Sequence, residues 1–411
     1  MRAEIIAVGT ELLLGDILNT NAQFLSKELA SIGVSVYRQS VIGDNEERLT
    51  ELLDEAIKRS DIIVTTGGLG PTKDDLTKET ICKFMNMELE LHKESYNSLV
   101  EFYKRLNRVM PESNIKQVYF PKESKVLQNP NGTAPGVILE KDNKIIVILP
   151  GPPKEMKPMF KNYVKDYLRS KENSVIKSEV IRTLGIGESA AAEKLKEFIE
   201  DGINPTVAPY AKEEDVIFRI TAKAENEEEA DKIIKPVKDK IIEKLGLDYY
   251  GEGEDTTIEE VVGKLLVDRK LTISTAESCT GGMVASKLIS YPGISEVFLE
   301  GAVTYSNEAK MRTLKVKEET LKQFGAVSAE TASEMAEGIA KRANSDVSVV
   351  TTGIAGPGGG TEEKPVGLVY FGLYYKGNVT TYRYVFNGNR DAVRRKAAVT
   401  ALDLVRRAIL S

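Results

Sequence analysis

Between residues 4 and 68 the chain reads EIIAVG (4–9), NAQFLSKELASIG (21–33), VSVYRQSVI (34–42), ERLTELLDEAIKRS (47–60) and DIIVTTGG (61–68). The short apolar runs are typical of buried strands, whereas the longer segments repeat their apolar residues at helical spacing. Strands that alternate with helices in this order form parallel α/β sheets. The sequence therefore predicts a parallel α/β fold for this part of the chain.

The remaining sequence divides into two further segments. The first segment closes near residue 170, after the apolar run and proline-rich turn of KIIVILPGPPKEMKPMF (144–160). Residues 171–250 mix strand-like and helical patterns, and we predict a small α+β, KH-like domain that acts as a spacer. The stretch GEGEDTT (251–257) has no apolar residue, which is typical of an exposed boundary. After it, a second α/β pattern runs to the end, so we predict three domains, 1–170, 171–250 and 255–411.

Charge and composition restrict the classes of partner. Lys and Arg number 56 against 62 Asp and Glu, and the net charge of -6 leaves no basic surplus for a nucleic-acid backbone. The middle segment also lacks a basic GxxG loop, so nucleic-acid binding is not expected. Without a basic and apolar leader or eighteen consecutive apolar residues, we expect no membrane contact and a cytoplasmic location. Cys82 and Cys279 form no CxxC motif, which fits a reducing compartment.

The single histidine limits the possible chemistry. His92 lies in the polar, helix-like stretch ELHKES, where a solvated surface position is expected. A Ser-His-Asp triad, a histidine zinc site and a histidine general base are therefore excluded. Any catalysis has to use Ser, Thr, Lys, Tyr, Arg or carboxylates.

A candidate nucleophile follows the strand LTISTAE (271–277). Ser278 and Cys279 lie in a tight turn before the helical stretch MVASKLIS (283–290), so the helix dipole could stabilise an oxyanion or thiolate there. The alternative is that Ser278 only caps the helix. Cys279 is the rival nucleophile, although a small buried side chain is the better interpretation.

A serine needs a base, and Lys310 is the candidate. It follows another predicted strand end, with Tyr305 just before it, and burial could lower its pKa. The alternative is a surface lysine. The glycine-rich GIAGPGGG (353–360) is either an anion cradle or a plain turn. Arg390 and Arg394 lie four residues apart on one predicted helix, where they either share a phosphate or carboxylate or are simply solvated.

Four motifs give this domain a specific resemblance. TAESCTGG (275–282), GAVTYSNEAK (301–310), TTGIAGPGGG (351–360) and GNRDAVRRKA (388–397) resemble the C-terminal domain of the CinA family, the nicotinamide mononucleotide deamidases. The resemblance covers residues 255–411. It implies metal-free hydrolysis of the nicotinamide carboxamide, with Ser278 as the attacking group and Lys310 and Tyr305 handling the proton. The substrate-binding residues that it implies are Thr280, Gly281, Gly353, Gly356, Gly358, Arg390 and Arg394.

The N-terminal segment has its own candidate site at TTGGLGPTKDD (65–75). Gly67, Gly68 and Gly70 allow close approach to the backbone, and Thr72 offers a hydroxyl. Asp74 and Asp75 are adjacent carboxylates, which suit a hard divalent ion on a phosphate. They are equally typical of a helix's first turn.

Together with VGTELLLGD (8–16), NPNGTAPG (129–136) and LPGPPKEM (149–156), this stretch resembles the N-terminal CinA domain. That domain shares the molybdopterin-binding fold, and the match spans residues 1 to about 170. It implies a pyrophosphatase that needs Co, Mg or Mn and splits ADP-ribose into AMP and ribose phosphate. The implied substrate-binding residues are Glu11, Asn21, Gly67, Gly68, Gly70, Thr72, Thr133 and Lys154, and the implied metal ligands are Asp16, Asp74 and Asp75.

Two alternatives remain open. The N-terminal domain could instead be a pterin-binding or adenylyl-transfer module, because the same fold serves both. The chain could also be a recruitment scaffold with a recombination protein as its partner, as the family's association with competence and DNA damage suggests. Open sheet edges further lead us to expect a homodimer.

Overall fold

The apolar runs of the first 170 residues are strands, and most segments between them are helices. The computed structural model describes residues 1–171 and 174–411. The strands of this part are β1 (Arg2–Val8), β2 (Ser35–Ile42), β3 (Ile62–Thr66), β4 (Leu89–Leu91), β5 (Tyr119–Pro121), β6 (Lys125–Leu127), β7 (Gly136–Lys141) and β8 (Lys144–Leu149). The helices are α1 (Thr10–Leu14), α2 (Thr20–Ala30), α3 (Glu46–Arg59), α4 (Thr77–Phe84), α5 (Lys93–Arg105), α6 (Pro153–Met159) and α7 (Lys165–Arg169). A 3-10 helix spans Glu112–Val118, and a π-helical turn, Phe160–Val164, joins α6 to α7.

Six of these strands form one mixed sheet in the order β2-β1-β3-β8-β7-β6. β2, β1, β3 and β8 are parallel, as the sequence predicts, whereas β7 and β6 run antiparallel to their neighbours. These two strands lie outside the residues from which the parallel arrangement is predicted, and β7 is antiparallel to β8 because Asp142 and Asn143, both at positive φ, close a two-residue hairpin between them. Apolar clusters cover both faces of the sheet.

The middle segment is α+β. Its strands are β9 (Val175–Thr183), β10 (Thr206–Ala211), β11 (Val216–Ala224) and β12 (Tyr249–Glu252), in the sheet order β10-β11-β9-β12. Its helices are α8 (Glu188–Lys194), α9 (Lys196–Glu200) and α10 (Glu227–Leu245), and a 3-10 turn spans Gly246–Asp248.

The chain as a whole divides into two compact units. One comprises residues 1–177 and 222–233, and the other comprises residues 178–221 and 234–411. Most of the middle segment therefore groups with the C-terminal part, whereas the sequence analysis treats it as a separate spacer. The three predicted domain boundaries stay a prediction.

The C-terminal part is a second α/β fold. Its strands are β13 (Ile273–Glu277), β14 (Phe298–Val303), β15 (Val347–Gly353), β16 (Leu368–Tyr375) and β17 (Asn378–Val385). Its helices are α11 (Ile258–Arg269), α12 (Met283–Ile289), α13 (Asn307–Leu314), α14 (Glu318–Phe324), α15 (Ala329–Ala343) and α16 (Arg390–Leu410), and a 3-10 turn spans Ile294–Glu296. The sheet order is β14-β13-β15-β16-β17, with β14, β13 and β15 parallel and the last two strands antiparallel.

Helices cover both faces of this sheet. α15 packs on one face, and α16 packs on the other face together with α11 and α12. Since the central strands β13 and β15 are enclosed on both sides, their residues are almost all buried, as continuous apolar runs predict. Side chains of Thr257, Ser306, Ser328 and Asn389 cap the helices α11, α13, α15 and α16.

Among the helices of the described residues, none combines the length and the apolar character needed to cross a bilayer.

Candidate functional site

The C-terminal site forms where two neighbouring parallel strands end. Glu277, the last residue of β13, pairs with Val303, the last residue of β14. Ser278 and Thr304 therefore leave the sheet side by side at its carboxyl edge, where open α/β sheets bind ligands. The helix α13 then starts after Ser306 and places Lys310 against the turn after β13.

Ser278 and Lys310 are in direct contact. Lys310 Nζ lies 3.2 Å from Ser278 Oγ, and the side chains are 1% exposed for Lys310 and 9% exposed for Ser278. The Lys310 amine also donates to the carbonyl oxygens of Thr304 (2.9 Å) and Tyr305 (3.4 Å). Burial lowers the pKa of Lys310 below its ordinary value, because removal from water disfavours the charged form. A neutral amine at hydrogen-bond distance from a hydroxyl can accept its proton.

Cys279 is a poor nucleophile in this environment. Its side chain is 5% exposed, and burial raises the pKa of its thiol to about 11. The thiolate is the reactive form, so Cys279 is unreactive near neutral pH.

Glu277 is a buried acid that the sequence analysis did not select. Its carboxylate accepts hydrogen bonds from the backbone N–H groups of Gly282 (2.9 Å), Val284 (3.0 Å) and Ala285 (2.8 Å) and from the hydroxyl of Thr280 (2.6 Å). These three N–H groups at the start of α12 bind Glu277 rather than a ligand at Ser278, and they fix the turn that carries Ser278. Stabilisation of an oxyanion by the dipole of α12 stays a prediction.

Thr304 has the second unpredicted feature of this site. Its backbone carbonyl accepts from Lys310, its side chain is buried, and its hydroxyl oxygen has no hydrogen-bond partner among the described residues. Buried hydroxyls are normally paired, so a free one beside Lys310 marks a polar position at the site. A sequence pattern cannot reveal such a group, because pairing is a property of the fold.

The two predicted arginines bind different parts of the backbone. Arg390 donates to the carbonyl of Gly356 (2.7 Å) and to the hydroxyl of Tyr305 (3.2 Å), whereas Arg394 donates to the carbonyl of Thr280 (3.0 Å). Both arginines contact loops around Ser278, but they have no hydrogen-bond acceptor in common among the described residues. Tyr305 is 64% exposed, and among the described residues its hydroxyl contacts Arg390 rather than Lys310 or Ser278.

The predicted glycines fall into two groups. Gly281 and Gly356 have positive φ, which favours glycine, and Gly358 is exposed with open space around it. Gly353 is different, because it ends β15 and a Cβ there would lie 2.6 Å from the carbonyl oxygen of Leu368. Gly353 therefore serves close packing of two strands rather than exposing its backbone to a ligand.

The N-terminal candidate site is a cleft of about 500 Å³ at the carboxyl ends of β1, β3 and β8. Eight of the predicted residues line it, namely Glu11, Gly67, Gly68, Gly70, Thr72, Asp74, Asp75 and Thr133. Asp44, Gln117 and Glu155 also line it and were not predicted. Gly67 at φ 109° and Gly68 at φ 66° need to be glycine, since a Cβ would lie 2.0 Å from the Val8 carbonyl oxygen and 2.1 Å from the Thr77 hydroxyl, respectively.

Three predicted residues do not line this cleft. Asp16 and Lys154 are exposed, and neither side chain is part of the cleft wall. Asn21 is buried behind the wall, where its amide donates to Thr66 Oγ1 (3.0 Å) and to the carbonyl of Gly151 (2.7 Å). Asn21 therefore ties the loop after β3 to the loop after β8.

The carboxylates of the cleft do not form a complete metal site. Among the described residues, no three His, Cys, Asp or Glu side chains lie close enough together to hold an ion. Asp75 already accepts from the backbone N–H (2.9 Å) and the hydroxyl (2.5 Å) of Thr72. Glu11, Asp44 and Asp74 line the same cleft, and carboxylate oxygens are ligands that Mg²⁺ prefers.

Glu155 contributes a different kind of carboxyl to this cleft. Its carboxylate accepts from the amide of Asn129 (2.6 Å), and burial raises the pKa of Glu155 above its ordinary value. A half-buried carboxyl of raised pKa in a cleft can exchange a proton with a ligand.

Comparison with known proteins gives a consistent result over the whole chain. Models of three families match it: the "Probable molybdopterin binding domain" over residues 4–170, the "Damage-inducible protein CinA KH domain" over residues 178–251, and the "CinA C-terminal domain" over residues 255–409.

Relatives that match over the full length of the chain agree with these family matches. Proteins named "Putative competence-damage inducible protein" are 58% identical over 410 residues in Clostridium beijerinckii, covering 100% of both chains, and 60% identical over 408 residues in Clostridium perfringens, covering 99% of this chain and 98% of that one. The structure of the competence/damage inducible protein CihA from Agrobacterium tumefaciens is 39% identical and covers 39% of this chain and 99% of that chain, with a TM-score of 0.36. A CinA superfamily protein from Klebsiella pneumoniae is 35% identical and covers 37% and 96%, with a TM-score of 0.36. With more than half of its residues shared with full-length competence-damage inducible proteins, the chain belongs to the CinA family.

Proposed function

We propose that this chain is a nucleotide hydrolase with two active sites. The C-terminal site converts nicotinamide mononucleotide to nicotinate mononucleotide and ammonia, and the N-terminal site converts ADP-ribose to AMP and ribose 5-phosphate. The observation that carries the proposal is the contact of 3.2 Å between the buried Lys310 amine and the Ser278 hydroxyl. The motifs that resemble CinA deamidases supply the choice of substrate.

The geometry supports a Ser-Lys mechanism without histidine. The neutral Lys310 amine accepts the Ser278 proton as Oγ attacks the carboxamide carbon, and the C=O electron pair moves to its oxygen. When the tetrahedral intermediate collapses, the C–N bond breaks and the Lys310 ammonium returns its proton to the departing nitrogen, which leaves as ammonia. Water then attacks the acyl ester and gives its proton to Lys310, which returns it to Ser278 Oγ as the carboxylic acid is released.

The surroundings of this pair support binding of an anionic nucleotide. Arg390 is exposed, and its two present acceptors are neutral oxygens of Gly356 and Tyr305. A phosphate offers a charged acceptor with which a guanidinium forms stronger hydrogen bonds. Arg390 therefore serves as the phosphate-binding residue, and the exposed loop around Gly358 adapts to the ligand.

In the N-terminal cleft, glycine backbone and carboxylates support binding of a pyrophosphate with its metal. Gly67 and Gly68 let the backbone approach phosphate oxygens, and one or two of the cleft carboxylates of Asp74, Asp44 and Glu11 would contact a divalent ion that the substrate phosphates hold. When bound, the ion would neutralise charge on the phosphates and orient them. In this proposal Glu155, which lines the cleft, takes a proton from the water that attacks phosphorus, and the P–O bond to the other phosphate breaks.

Ammonia release from nicotinamide mononucleotide in a chelator tests the C-terminal proposal. We expect turnover in the native chain, a fall of about 10³-fold or more in Ser278→Ala, and a fall of about 10²–10⁴-fold in Lys310→Met. The control variant is Ser290→Ala, because Ser290 is an exposed serine that follows the same helix α12. Unchanged turnover in Ser278→Ala and Lys310→Met would contradict the proposed site, and a role as a recruitment scaffold would then gain support.

AMP release from ADP-ribose with Mg²⁺, Mn²⁺ or Co²⁺ tests the N-terminal proposal. We expect release that depends on the metal and falls in Asp74→Asn, while Asp16→Asn serves as control because Asp16 lies outside the cleft. No AMP with any of the three ions would favour the pterin or adenylyl-transfer alternative.

A further inference from the structure

A buried lysine of the N-terminal fold has no role in the proposed hydrolysis. Lys78, on α4, is 3% exposed, and its amine donates to the backbone carbonyl of Lys116 (2.8 Å). The same amine lies 4.5 Å from the centre of the Phe120 ring, whose face attracts a cation. Buried lysines are usually paired with a carboxylate, whereas this hydrogen-bond acceptor is a neutral carbonyl. The amine of Lys78 therefore holds one particular segment of backbone.

The segment that Lys78 holds is the 3-10 helix Glu112–Val118, which in turn binds the cleft loop, residues 69–75. Side chains of this helix donate three hydrogen bonds to backbone carbonyls of the cleft loop, namely from Lys116 Nζ to Thr72 (2.5 Å) and Asp75 (2.6 Å) and from Gln117 Nε2 to Leu69 (3.0 Å). All three acceptor residues line the N-terminal cleft. The position of the 3-10 helix therefore fixes the position of the cleft wall.

The strength of this hold depends on the charge of Lys78. A charged donor forms a hydrogen bond roughly twice as strong as a neutral one, and only the cation is attracted to the face of the Phe120 ring. Burial lowers the pKa of Lys78 to about 8, because desolvation disfavours the ammonium. As the pH rises through this value, the amine loses its charge and both contacts weaken.

Neighbouring titratable groups act on the pKa of this lysine less strongly than burial does. Glu79 and Cys82, on the same helix, favour the charged form, whereas the ammonium of Lys116 disfavours it. His92 packs edge-on against Phe120, with 6.0 Å between the ring centres. Since desolvation outweighs the acids, the lysine changes its charge within a pH range in which the fold can be studied.

We infer that Lys78 is a positioning residue of the N-terminal cleft, which keeps the cleft loop in its observed conformation through the 3-10 helix Glu112–Val118. The contacts run from the Lys78 amine to the carbonyl of Lys116 and from the Lys116 side chain to the cleft loop, so loss of the first contact loosens the second. Asp74 and Asp75 lie in this loop, and their carboxylates move with it. The inference rests on the proposed pyrophosphatase function for the purpose of the cleft loop, but the hold itself can be tested without any reaction.

Hydrogen–deuterium exchange of the full-length chain, followed by mass spectrometry, tests the inference. Exchange is measured at about pH 7 and about pH 9, on the two sides of the lowered pKa of Lys78, and is corrected for the intrinsic effect of pH on amide exchange. Two amides report the state of the cleft loop. The N–H of Thr72 donates to the Asp75 carboxylate (2.9 Å), and the N–H of Thr77 donates to the carbonyl of Gly68 (3.2 Å).

The variants separate the hold on the cleft loop from other effects of a lost lysine. Lys78→Met keeps the length of the side chain and removes the amine. Lys116→Met removes the bonds to the cleft loop directly, and it tests the inference if Lys78→Met does not fold. Lys83→Met is the matched control, because Lys83 lies on the same helix α4, is exposed and pairs with Glu46 (2.6 Å).

In the native chain and in Lys83→Met, we expect the corrected exchange of both amides to become about threefold to tenfold faster at the higher pH, because the hydrogen bond loses its charge. In Lys78→Met and Lys116→Met, exchange should be fast at both pH values. The step between the two pH values should disappear, since it belongs to the contact that these variants lack.

Three results would overturn the inference. They are native exchange without a step between the two pH values, native-like exchange in Lys78→Met and Lys116→Met, and a loss of protection in these variants that extends equally to β1 and β3. The last result would show that the lysines only stabilise the fold as a whole. If exchange behaves as expected but ADP-ribose is not hydrolysed, the hold on the cleft loop stands and the proposed reaction fails.

Discussion

At the scale of single residues, the ionisation of Lys310 should determine how the deamidation rate depends on pH. Only the neutral amine can take the Ser278 proton, and burial lowers the pKa of Lys310 below the ordinary 10.5. We therefore expect kcat/KM to rise with pH through the lowered pKa and to level off above it. A pH–rate profile on nicotinamide mononucleotide measures this, and a rate that falls as pH rises over that range would contradict the assignment.

The lowered pKa of Lys310 also affects how the stability of the fold depends on pH. The effect is opposite in sign to that of an ion-paired lysine, whose pKa is raised. Between the lowered pKa of Lys310 and 10.5, the folded chain binds fewer protons at this residue than the unfolded chain does. The contribution of Lys310 to the free energy of unfolding therefore rises with pH in this window. In Lys310→Met that contribution should disappear, which urea titrations at several pH values can check.

Two threonines beside the catalytic pair should respond in opposite ways to the same substitution. The buried hydroxyl of Thr304 has no partner among the described residues, so Thr304→Val removes an unsatisfied polar group and should raise the free energy of unfolding by about 1 kcal/mol. The buried hydroxyl of Thr280 contacts Glu277 (2.6 Å) and Thr351 (2.7 Å). Thr280→Val should therefore lower the free energy of unfolding by about 1–3 kcal/mol.

Chemical denaturation of the two variants, with the native chain alongside, is the measurement. Because both changes replace a hydroxyl by a methyl group within one site, they are matched in size and in burial. A loss of stability of similar size in both variants would show that the Thr304 hydroxyl is paired in solution.

At the scale of elements, the turn between β13 and α12 depends on Glu277. Its two carboxylate oxygens accept four hydrogen bonds, three of them from backbone N–H groups of the turn and the helix. Glu277→Gln turns one acceptor into a donor that faces other donors, so we expect a loss of about 1–3 kcal/mol in stability and a displaced Ser278.

Thermal unfolding and deamidase turnover should therefore fall together in Glu277→Gln. Glu259→Gln is the control, since the Glu259 carboxylate on α11 accepts one side-chain hydrogen bond, from Lys287 at 3.3 Å, among the described residues, so this change should cost less than the change at Glu277. If Glu277→Gln turned over at the rate of the native chain, the turn would hold Ser278 in place without this carboxylate.

The sequence predicts the elements that carry the sites much better than the contacts within them. The run LTISTAE and the helix after Ser278 follow directly from apolar periodicity, and β13 and α12 lie where that pattern puts them. The hairpin at Asp142 and Asn143 was missed because β7 and β8 are apolar runs that do not reveal their direction. Neighbouring strand ends therefore follow from the pattern, but strand orientation does not.

Contacts that exist only in the folded chain explain what the sequence could not provide. Glu277 looks like an ordinary acid until the turn after β13 brings the N–H groups of Gly282, Val284 and Ala285 onto its carboxylate, and the unpaired hydroxyl of Thr304 is likewise a property of the fold. Asp16 and Lys154 lie in motifs whose other members line the cleft, but their own side chains are exposed outside it. A motif identifies a loop, whereas the backbone conformation decides which of its side chains face the ligand.

At the scale of the whole molecule, the two sites should differ in their need for metal. The proposed C-terminal mechanism uses a hydroxyl and an amine and no carboxylate that holds an ion, whereas the N-terminal cleft has Glu11, Asp44 and Asp74 beside the glycine-containing loop of residues 67–70. Removing divalent ions with a chelator should stop ADP-ribose hydrolysis and leave deamidation unchanged. Parallel assays of both activities on one preparation, with Mg²⁺ added back afterwards, measure the two effects. If the chelator lowered both activities equally, the two sites would not differ in their need for metal.

The last helix joins the middle sheet to the C-terminal fold through a buried ionic network. Asp403 on α16 accepts from Arg406 (2.6 Å) and Arg407 (2.7 Å). Arg406, which is 2% exposed, also donates to the carbonyl oxygens of Leu247 (2.5 Å) and Tyr249 (2.9 Å) in the middle segment. The network explains why most of the middle segment belongs to the same compact unit as α16.

Removal of Asp403 should therefore destabilise that whole unit. Asp403→Ala leaves a buried guanidinium without its carboxylate, for which we expect a loss of about 3–5 kcal/mol in the free energy of unfolding. Asp391→Ala is the matched control on the same helix, because the Asp391–Arg395 pair is solvent-exposed and should contribute less than about 1 kcal/mol. Calorimetry on both variants is the measurement, and similar losses in the two would mean that burial adds nothing to the Asp403 network. If the loss in Asp403→Ala is as large as expected, one transition should carry both the middle sheet and the C-terminal fold, since the same guanidinium holds them together.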